Sequence, residues 1–290
     1  MNRISRKAWK KYVDALSKIN DKAAEEIRQW AETFCSDGSG GIDYDNLLKA
    51  YDKFDRSFTD YCYLVAREYG TASAAMAAQM YDATAELEGA LVPAAEMAET
   101  ATYEEVAKTV NGVMKTSKNI DEMSGAVSRL VKKAGCDTTL KNAYRDRAEY
   151  AWIPSGDTCA FCLALAANGW VSIGERTIRK GYQHAEHIHS NCDCTYAVRF
   201  TQDTQVAGYD PGRYMDTINE AAEESGLIEP GDTVERRFVG EGQQMGKEVI
   251  NALRRQNYAR NREEILKQKA SAYEKRKELN SSKAEELKVD

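Results

Sequence analysis

Cys159-Ala160-Phe161-Cys162 is a C-x-x-C pair, and 26 residues separate it from a second cluster, His189-Ser190-Asn191-Cys192-Asp193-Cys194, which His184 and His187 precede. All three histidines of the chain and four of its seven cysteines fall within these 36 residues. Thiolate and imidazole are the ligands zinc prefers, and two paired knuckles joined by a loop build the tetrahedral site that pins a segment with little apolar core. The pattern reads as a structural zinc site fed by four of the five residues Cys159, Cys162, His189, Cys192 and Cys194. Three candidates in the second cluster compete for two places, and the spacing leaves open which one is spare. Asp157, His184, His187, Arg145 and Arg147 are the candidates to pair with the ligands and orient them from behind.

Other chemistries fit the same residues less well. His184-Ala185-Glu186 beside a C-x-x-C has the parts of a zinc deaminase, but there the C-x-x-C follows the His-x-Glu and here it precedes it. A thioredoxin-like role for Cys159 and Cys162 needs the first cysteine at a helix N-terminus inside a βαβ unit. Ser155-Gly156-Asp157-Thr158 offers caps for such a helix, but no βαβ pattern surrounds it. A metal-dependent hydrolase or nuclease using the extra histidines would need an open coordination position at the metal. The sequence contains no G-x-S-x-G, Walker loop, G-x-G-x-x-G or H-E-x-x-H motif.

The elements that must position this cluster are mostly helices. From Ala8 the apolar residues Trp9, Tyr12, Val13, Leu16, Ile19, Ala23, Ile27, Trp30 and Phe34 recur at spacings of three and four, one face of a long amphipathic helix. The loop 36–41 stops it; read as a calcium loop from Asp37, it lacks the glycine and glutamate that an EF-hand needs at its sixth and twelfth positions. A second helix starts near Asp45 with Leu47, Leu48, Tyr51, Phe54, Phe58, Tyr61, Cys62 and Val65 inward. Residues 72–97 are alanine-rich, with Met76, Met80 and Met97, a composition suited to close helix packing. A further helix is predicted over 104–133, ended by Gly135, with Thr138 or Thr139 capping another over 139–151. Cys35 and Cys136 then fall at helix ends, and packing accounts for them and for Cys62. From Ile153 to Thr195 periodicity stops, and the segment has too few apolar residues to hold itself together by burial alone. Residues 194–200 form its clearest strand. A helix near 210–225 and a long charged helix over 246–277, with Leu253, Tyr258, Ile265, Leu266 and Tyr273 as sparse anchors, complete the chain.

The expected fold is therefore mainly α: an N-terminal helical domain (1–138), a small irregular α+β Cys/His module (139–205), a helix with connecting loops (206–245), and a charged C-terminal helix and tail (246–290). The 290 residues suffice for about two domains, and only four prolines suit long helices. Lys and Arg number 40 against 46 Asp and Glu, a net charge of −6, which excludes a general nucleic-acid binder. The distribution is uneven. Residues 246–290 carry a net +4 and the remainder −10, so residues 246–277 are the one place where a DNA contact is expected. No apolar run reaches about 18 residues, and the basic, polar start lacks the apolar core of a signal peptide. A soluble protein of a reducing compartment follows, with no membrane partner and with cysteines serving as metal ligands rather than disulfides.

The helix bearing Arg145, Asp146, Arg147 and Glu149, then Trp152, Asp157-Thr158-Cys159-x-x-Cys162, Gly169 and the closing His189-x-x-Cys192-x-Cys194, is similar to the Mu F-like minor head proteins of tailed bacteriophages. Its nearest branch resembles the minor capsid proteins of phages of Gram-positive bacteria. The family's closing motif usually reads His-Pro-x-Cys-Arg-Cys; Ser190 and Asp193 replace the proline and arginine here, which removes an arginine contact and leaves every metal ligand in place. The resemblance covers about residues 140–200, with the charged segment from Arg254 to Tyr273 similar to the helix that follows the domain in such proteins. It implies a structural, non-enzymatic head-morphogenesis protein that associates with the portal and with capsid or scaffold subunits during procapsid assembly. It further implies a place in the virion, inside the head or at the portal vertex, after assembly in the host cytoplasm, and an influence on DNA packaging or ejection. The alternatives are the metal-dependent hydrolase or nuclease above and a DNA-binding effector delivered with the virion.

Overall fold

A computed structural model describes residues 3–39, 41–117, 119–155, 158–172, 194–234, 247–259, 262 and 266–267, without the side chains of 44 and 46–57. The chain is mainly helical, and it divides into two compact units, Met1–Thr158 with Asn168–Pro211, and Cys159–Ala167 with Gly212–Asp290.

The first unit begins with a two-residue strand, β1 (Arg3–Ile4), and helix α1 (Arg6–Cys35). Ser5 caps α1 by accepting a hydrogen bond from the Ala8 amide. Most of the expected apolar face is buried: Trp9, Tyr12, Val13, Leu16, Ala23 and Ile27 are in the core, Ile19 and Trp30 are partly buried, and Phe34 at the end of the helix is exposed. After α1, the Asp37 carboxylate accepts from the Ser39 amide and hydroxyl and from the Gly41 amide, an Asx-type turn in which the side chain replaces regular pairing.

Helix α2 (Tyr44–Glu88) is a single element of 45 residues, longer than the separate stretches that the sequence marks, and Phe58, Cys62 and Val65 of the predicted stripe are buried. The Cys62 thiol is raised well above its ordinary range by burial, and that of Cys35 is raised by burial and by Asp43, so both act as small apolar groups. The chain then runs extended, with no turn or bend, from 90 to 102, before α3 (Tyr103–Thr116) and α4 (Ile120–Arg145). Thr102 and Glu105 close a capping box at α3, and Asn119 caps α4 through the amides of Asp121 and Glu122.

These boundaries correct the expectation of one helix over 104–133 broken at Gly135. Helix α3 ends at Thr116 and α4 starts at Ile120, and α4 passes through Gly135 without interruption, which also places Cys136 inside a helix rather than at its end. The reason is packing. A Cβ on Gly135 would lie 2.6 Å from the Ser73 hydroxyl and 3.2 Å from the Ser73 carbonyl oxygen, so the glycine lets α2 and α4 touch backbone to backbone. Thr138 and Thr139, expected as caps, instead return their hydroxyls to the carbonyls of Ala134 and Gly135.

Helix α4 has eighteen of its residues buried, and several of its polar side chains bond the backbone of neighbouring segments. Ser128 donates to the Asn20 carbonyl of α1 at 3.1 Å. Asn142 donates to the Glu96 carbonyl at 2.8 Å and accepts from the Glu96 amide at 2.9 Å, while the Thr138 hydroxyl accepts from the Ala98 amide at 2.9 Å. The extended segment 90–102 is thus strapped to α4 by side chains standing in for a neighbouring strand.

At the end of α4, Arg145 reaches the carbonyls of Pro93 and Ala94 and clasps Asp146 through Nε at 2.8 Å and Nη2 at 2.7 Å. The Tyr81 hydroxyl donates to the same carboxylate at 2.8 Å. Burial works to raise the Asp146 pKa, but the Arg145 and Tyr81 hydrogen bonds outweigh it and hold the carboxyl below its ordinary value.

A three-stranded antiparallel sheet follows in the order β3 (Val171–Ser172), β2 (Glu149–Ile153), β4 (Thr195–Arg199). β2 and β4 are in register from Glu149 opposite Arg199 to Ile153 opposite Thr195. Ala151, Ile153 and Ala197 pack on Trp9, Tyr12, Val13 and Leu16 of α1. β5 (Gln205–Val206) pairs in parallel with β1, and the Glu88 carboxylate at the end of α2 accepts the amides of Phe200 and Thr201.

The second unit is built from α5 (Ala160–Ala166), α6 (Pro211–Glu224) and a helix α7 over 247–259. Ala160, Ala164 and Ala167 pack with Ile218, Ala221, Ala222, Val249, Ala252 and Leu253. The C-x-x-C segment thus takes its apolar support from residues some 50 to 90 positions later in the chain, outside the stretch 153–195 that was expected to be too poor in apolar residues to hold itself together.

Two measurements test this account. Gly135→Ala is expected to lower stability by about 1–3 kcal/mol through forced separation of α2 and α4. Gly112→Ala on α3, where a Cβ would meet nothing, should raise it by about 0.5–1 kcal/mol; urea midpoints of the two variants move in opposite directions. Asp146→Asn should cost about 1.5–3 kcal/mol at neutral pH. Because the folded pKa lies below the unfolded one, this stabilisation is full above the unfolded value and is lost as pH falls through the folded value. The gap between wild type and variant should persist in urea titrations to below the ordinary 3.8 and close only at more acidic pH.

Candidate functional site

Cys159 and Cys162 open helix α5. Cys159 is itself the N-cap, its Sγ accepting a hydrogen bond from the Cys162 amide at 3.4 Å. This corrects the expected cap within 155–158. A free helix N-terminus presents unsatisfied amides, and the Cys159 sulfur accepts from one of them. Cys159 is half-buried and Cys162 is buried, and a separation of three residues sets two side chains on one face of a helix. The pair has the donor chemistry that a zinc knuckle requires.

Cys194 is buried at the residue before β4. It shares the period-two face of Tyr196, whose register partner is Trp152. The Trp152 and Tyr196 rings meet edge to face at 4.6 Å, and the buried Trp152 Nε1 has no hydrogen-bond partner among the described residues. A buried donor of this kind calls for an acceptor. At the far end of the strands, Arg199 pairs with Glu149 at 2.6 Å and stacks over Trp170 at 4.8 Å. Gly169, one of the motif residues, has φ +72°, a left-handed conformation that glycine adopts without strain.

His184, His187, His189, Cys192 and Asp157 lie outside the described residues. Among the described residues no three His, Cys, Asp or Glu side chains gather in a metal-binding group. Of the candidates for orienting ligands, Arg145 is engaged with Asp146 and with the carbonyls of Pro93 and Ala94. Arg147 has φ +57° and sits where α4 ends: the Ala148 amide bonds the Ala143 carbonyl and the Arg147 amide that of Tyr144. That pairing is a Schellman motif, and Arg147 holds the position that glycine usually fills. Sequence reasoning missed Asn142, Thr138 and Glu88, which organise this unit; an asparagine or threonine inside a helix gives no sign of which distant backbone it serves.

Helix α7 puts Val249, Ala252 and Leu253 inward and leaves Lys247, Arg254 and Arg255 exposed. Arg255 reaches the Ser225 hydroxyl at 3.4 Å and Gln256 the Glu224 carboxylate at 3.0 Å. The rest of the predicted 246–277 helix, apart from residues 262, 266 and 267, lies outside the described residues. No helix among the described residues is long and apolar enough to cross a membrane.

A helical protein whose strapped bundle leads into a small sheet and a cysteine-capped helix is the class that the described residues define. The model of the VG15 protein family matches residues 3–221, about three-quarters of the chain, and the protein belongs to that family. It is a viral protein of the phage type, in keeping with the coarser part of the resemblance read from the cysteine motif. No curated protein and no solved structure matches the chain.

The position of Arg147 yields a direct test. Arg147→Gly should relieve the left-handed strain and raise stability by about 0.5–1 kcal/mol, read as a higher urea midpoint.

Proposed function

We propose that this viral protein is a structural minor head component of a tailed phage. It would associate with the portal and with capsid or scaffold subunits during procapsid assembly, reside in the virion at or inside the portal vertex, and influence DNA packaging or ejection. The observation that carries the reading is the cysteine-capped start of α5, with Cys159 and Cys162 one helical turn apart, in a chain of the VG15 family whose second cluster resembles the closing motif of Mu F-like minor head proteins. Cys159 and Cys162 would hold a structural zinc together with two of His189, Cys192 and Cys194. The sulfur at the N-cap and the buried Trp152 Nε1, a donor with no acceptor among the described residues beside the face of Cys194, both suit thiolate ligands. Bound there, zinc would supply cross-linking and no reaction step. Asp157, His184 and His187 would orient ligands. The arrangement supports a non-enzymatic role: long helices and a pinned module form docking surfaces. The exposed cations of α7 and the net +4 beyond residue 245 offer a contact to packaged DNA.

Native mass spectrometry of the chain, purified without added metal, tests the reading. One zinc per chain is expected, and none in the Cys159→Ser, Cys162→Ser double variant. Serine is itself a strong N-cap, so α5 keeps its start, and a fall in the melting temperature of the variant reports the metal rather than the cap. Co-expression with the portal protein of the same phage should then give a co-purifying complex with the wild type that the double variant weakens. A wild-type chain without metal and with unchanged stability in the double variant would overturn the zinc reading. A metal-loaded chain that ignores the portal but hydrolyses nucleic acid, with the activity lost in His184→Ala or His187→Ala, would favour the hydrolase.

A further inference from the structure

The extended strap 90–102 leaves part of one edge open. The Pro93 and Ala94 carbonyls, both backbone groups of Glu96 and the Ala98 amide are bonded to Arg145, Asn142 and Thr138 of α4. In an extended chain alternate residues turn their N–H and C=O to opposite edges. Residues 95, 97 and 99 therefore face the other way, toward α2, and the Ala95 amide is taken by Asp82 of that helix at 2.8 Å. Met97 and Glu99 make no hydrogen bond or ion pair with any described residue.

Beside this free edge the strap and α2 separate into a groove of about 460 Å³. Its α2 wall carries Tyr63, Arg67, Thr71 and Ala74, and its other wall is the strap from Met97 to Tyr103. Tyr63 and Tyr103 meet edge to face at 5.5 Å across one end, and Met97 is 50% exposed. Gly70 sets the floor, since a Cβ there would lie 3.1 Å from the Thr100 methyl. Arg67 is exposed and pairs with no carboxylate among the described residues. Paired tyrosines, an accessible methionine and an unpaired arginine are the side chains in which binding energy concentrates at protein interfaces. An unpaired backbone edge is the template for adding a strand.

We infer that this groove binds an extended segment of a partner protein, which adds to the strap by main-chain hydrogen bonds at Met97 and Glu99 and places one carboxylate side chain on Arg67. The two walls set the specificity. Arg67 on the α2 side attracts a single acidic residue, while Glu99 on the strap side repels a run of them, so the segment is β-forming with one acid rather than polyacidic. The inference uses residues of the first unit alone and goes beyond the head-protein reading, standing or failing separately from the zinc and the portal.

A display library of short random peptides, panned on the full chain, provides the probe. Selected peptides should be rich in β-branched residues with one Asp or Glu at a fixed place. In the complex, amide hydrogen exchange should slow at least about tenfold at Met97 and Glu99, with Ala98, already bonded, unchanged. Arg67→Glu, at an exposed position without a partner, should leave the thermal midpoint in place, weaken the selected peptides by about tenfold or more, the scale of one charge-assisted hydrogen bond, and select Lys or Arg peptides instead. Peptides that bind Arg67→Glu as well as wild type, helical peptides that leave Met97 and Glu99 unprotected, or no enrichment over a library without acidic residues would each overturn it. So would self-association of the chain that Arg67→Glu abolishes while no peptide binds, which would make a second copy the occupant.

Discussion

Helix α4 is enclosed by α1, α2, α3, the strap and the sheet, yet it is not an apolar helix. Ser124, Ser128, Lys132, Asp137, Thr138, Thr139 and Asn142 are all buried in it. A buried polar group without a partner costs about 1–3 kcal/mol, so seven such residues would outweigh the stability of an ordinary domain unless each were answered. Those on the face toward the strap are answered by backbone: Asn142 holds both groups of Glu96, and Thr138 holds the Ala98 amide. The dependence is mutual, because the strap has no ladder of its own and its amides need those side chains. The first unit is organised around that exchange.

Its consequences reach outward in order. Satisfying the strap from α4 requires α2 and α4 to lie close, and Gly135 against Ser73 allows it. With α2 fixed, its C-terminal Glu88 is placed to receive the amides that follow β4, and Tyr81 is placed to meet Asp146. The sheet then closes on α1 through Ala151, Ile153 and Ala197. The Glu26 carboxylate, bonded by the Tyr69 and Tyr61 hydroxyls of α2, ties α1 to α2 at the opposite end; there the Tyr69 phenol is pushed up to about 12, first by that hydrogen bond and then by burial.

Much of this was legible in the sequence where burial is one-sided. The α1 stripe and the helix near 210–225 declare themselves by period, because each shows one face to water, while the strand at 194–200, buried on both faces, declares itself by its run of β-forming residues. Helix α4 was legible only in part: Met123, Val127, Leu130 and Val131 of the helix expected over 104–133 are buried, but beyond them Gly135 looked like a stop although it is a point of contact. The strap was invisible for a related reason. Its regularity lies in hydrogen bonds to side chains more than 40 residues away, which no local pattern encodes. For the candidate site, the spacing of Cys159 and Cys162 was readable. That Cys159 would be its own helix cap was not, because cysteine is not among the residues that usually fill that position.

The two units meet the same difficulty by different means. A stretch of chain that is neither helix nor strand must have its backbone groups paired and its position fixed by something outside itself. In the strap this is done by side chains projecting from α4 and, at Ala95, by Asp82 of α2, which leaves the edge at Met97 and Glu99 open beside Arg67. At the start of α5 the sulfur of Cys159 pairs the first turn, and alanines on α5 pack against α6 and α7. A metal at Cys159 and Cys162 would thus act on an element whose helix is already capped and whose core is already formed. Its contribution would lie in tying that element to the second cysteine and histidine cluster, the segment for which apolar residues are fewest.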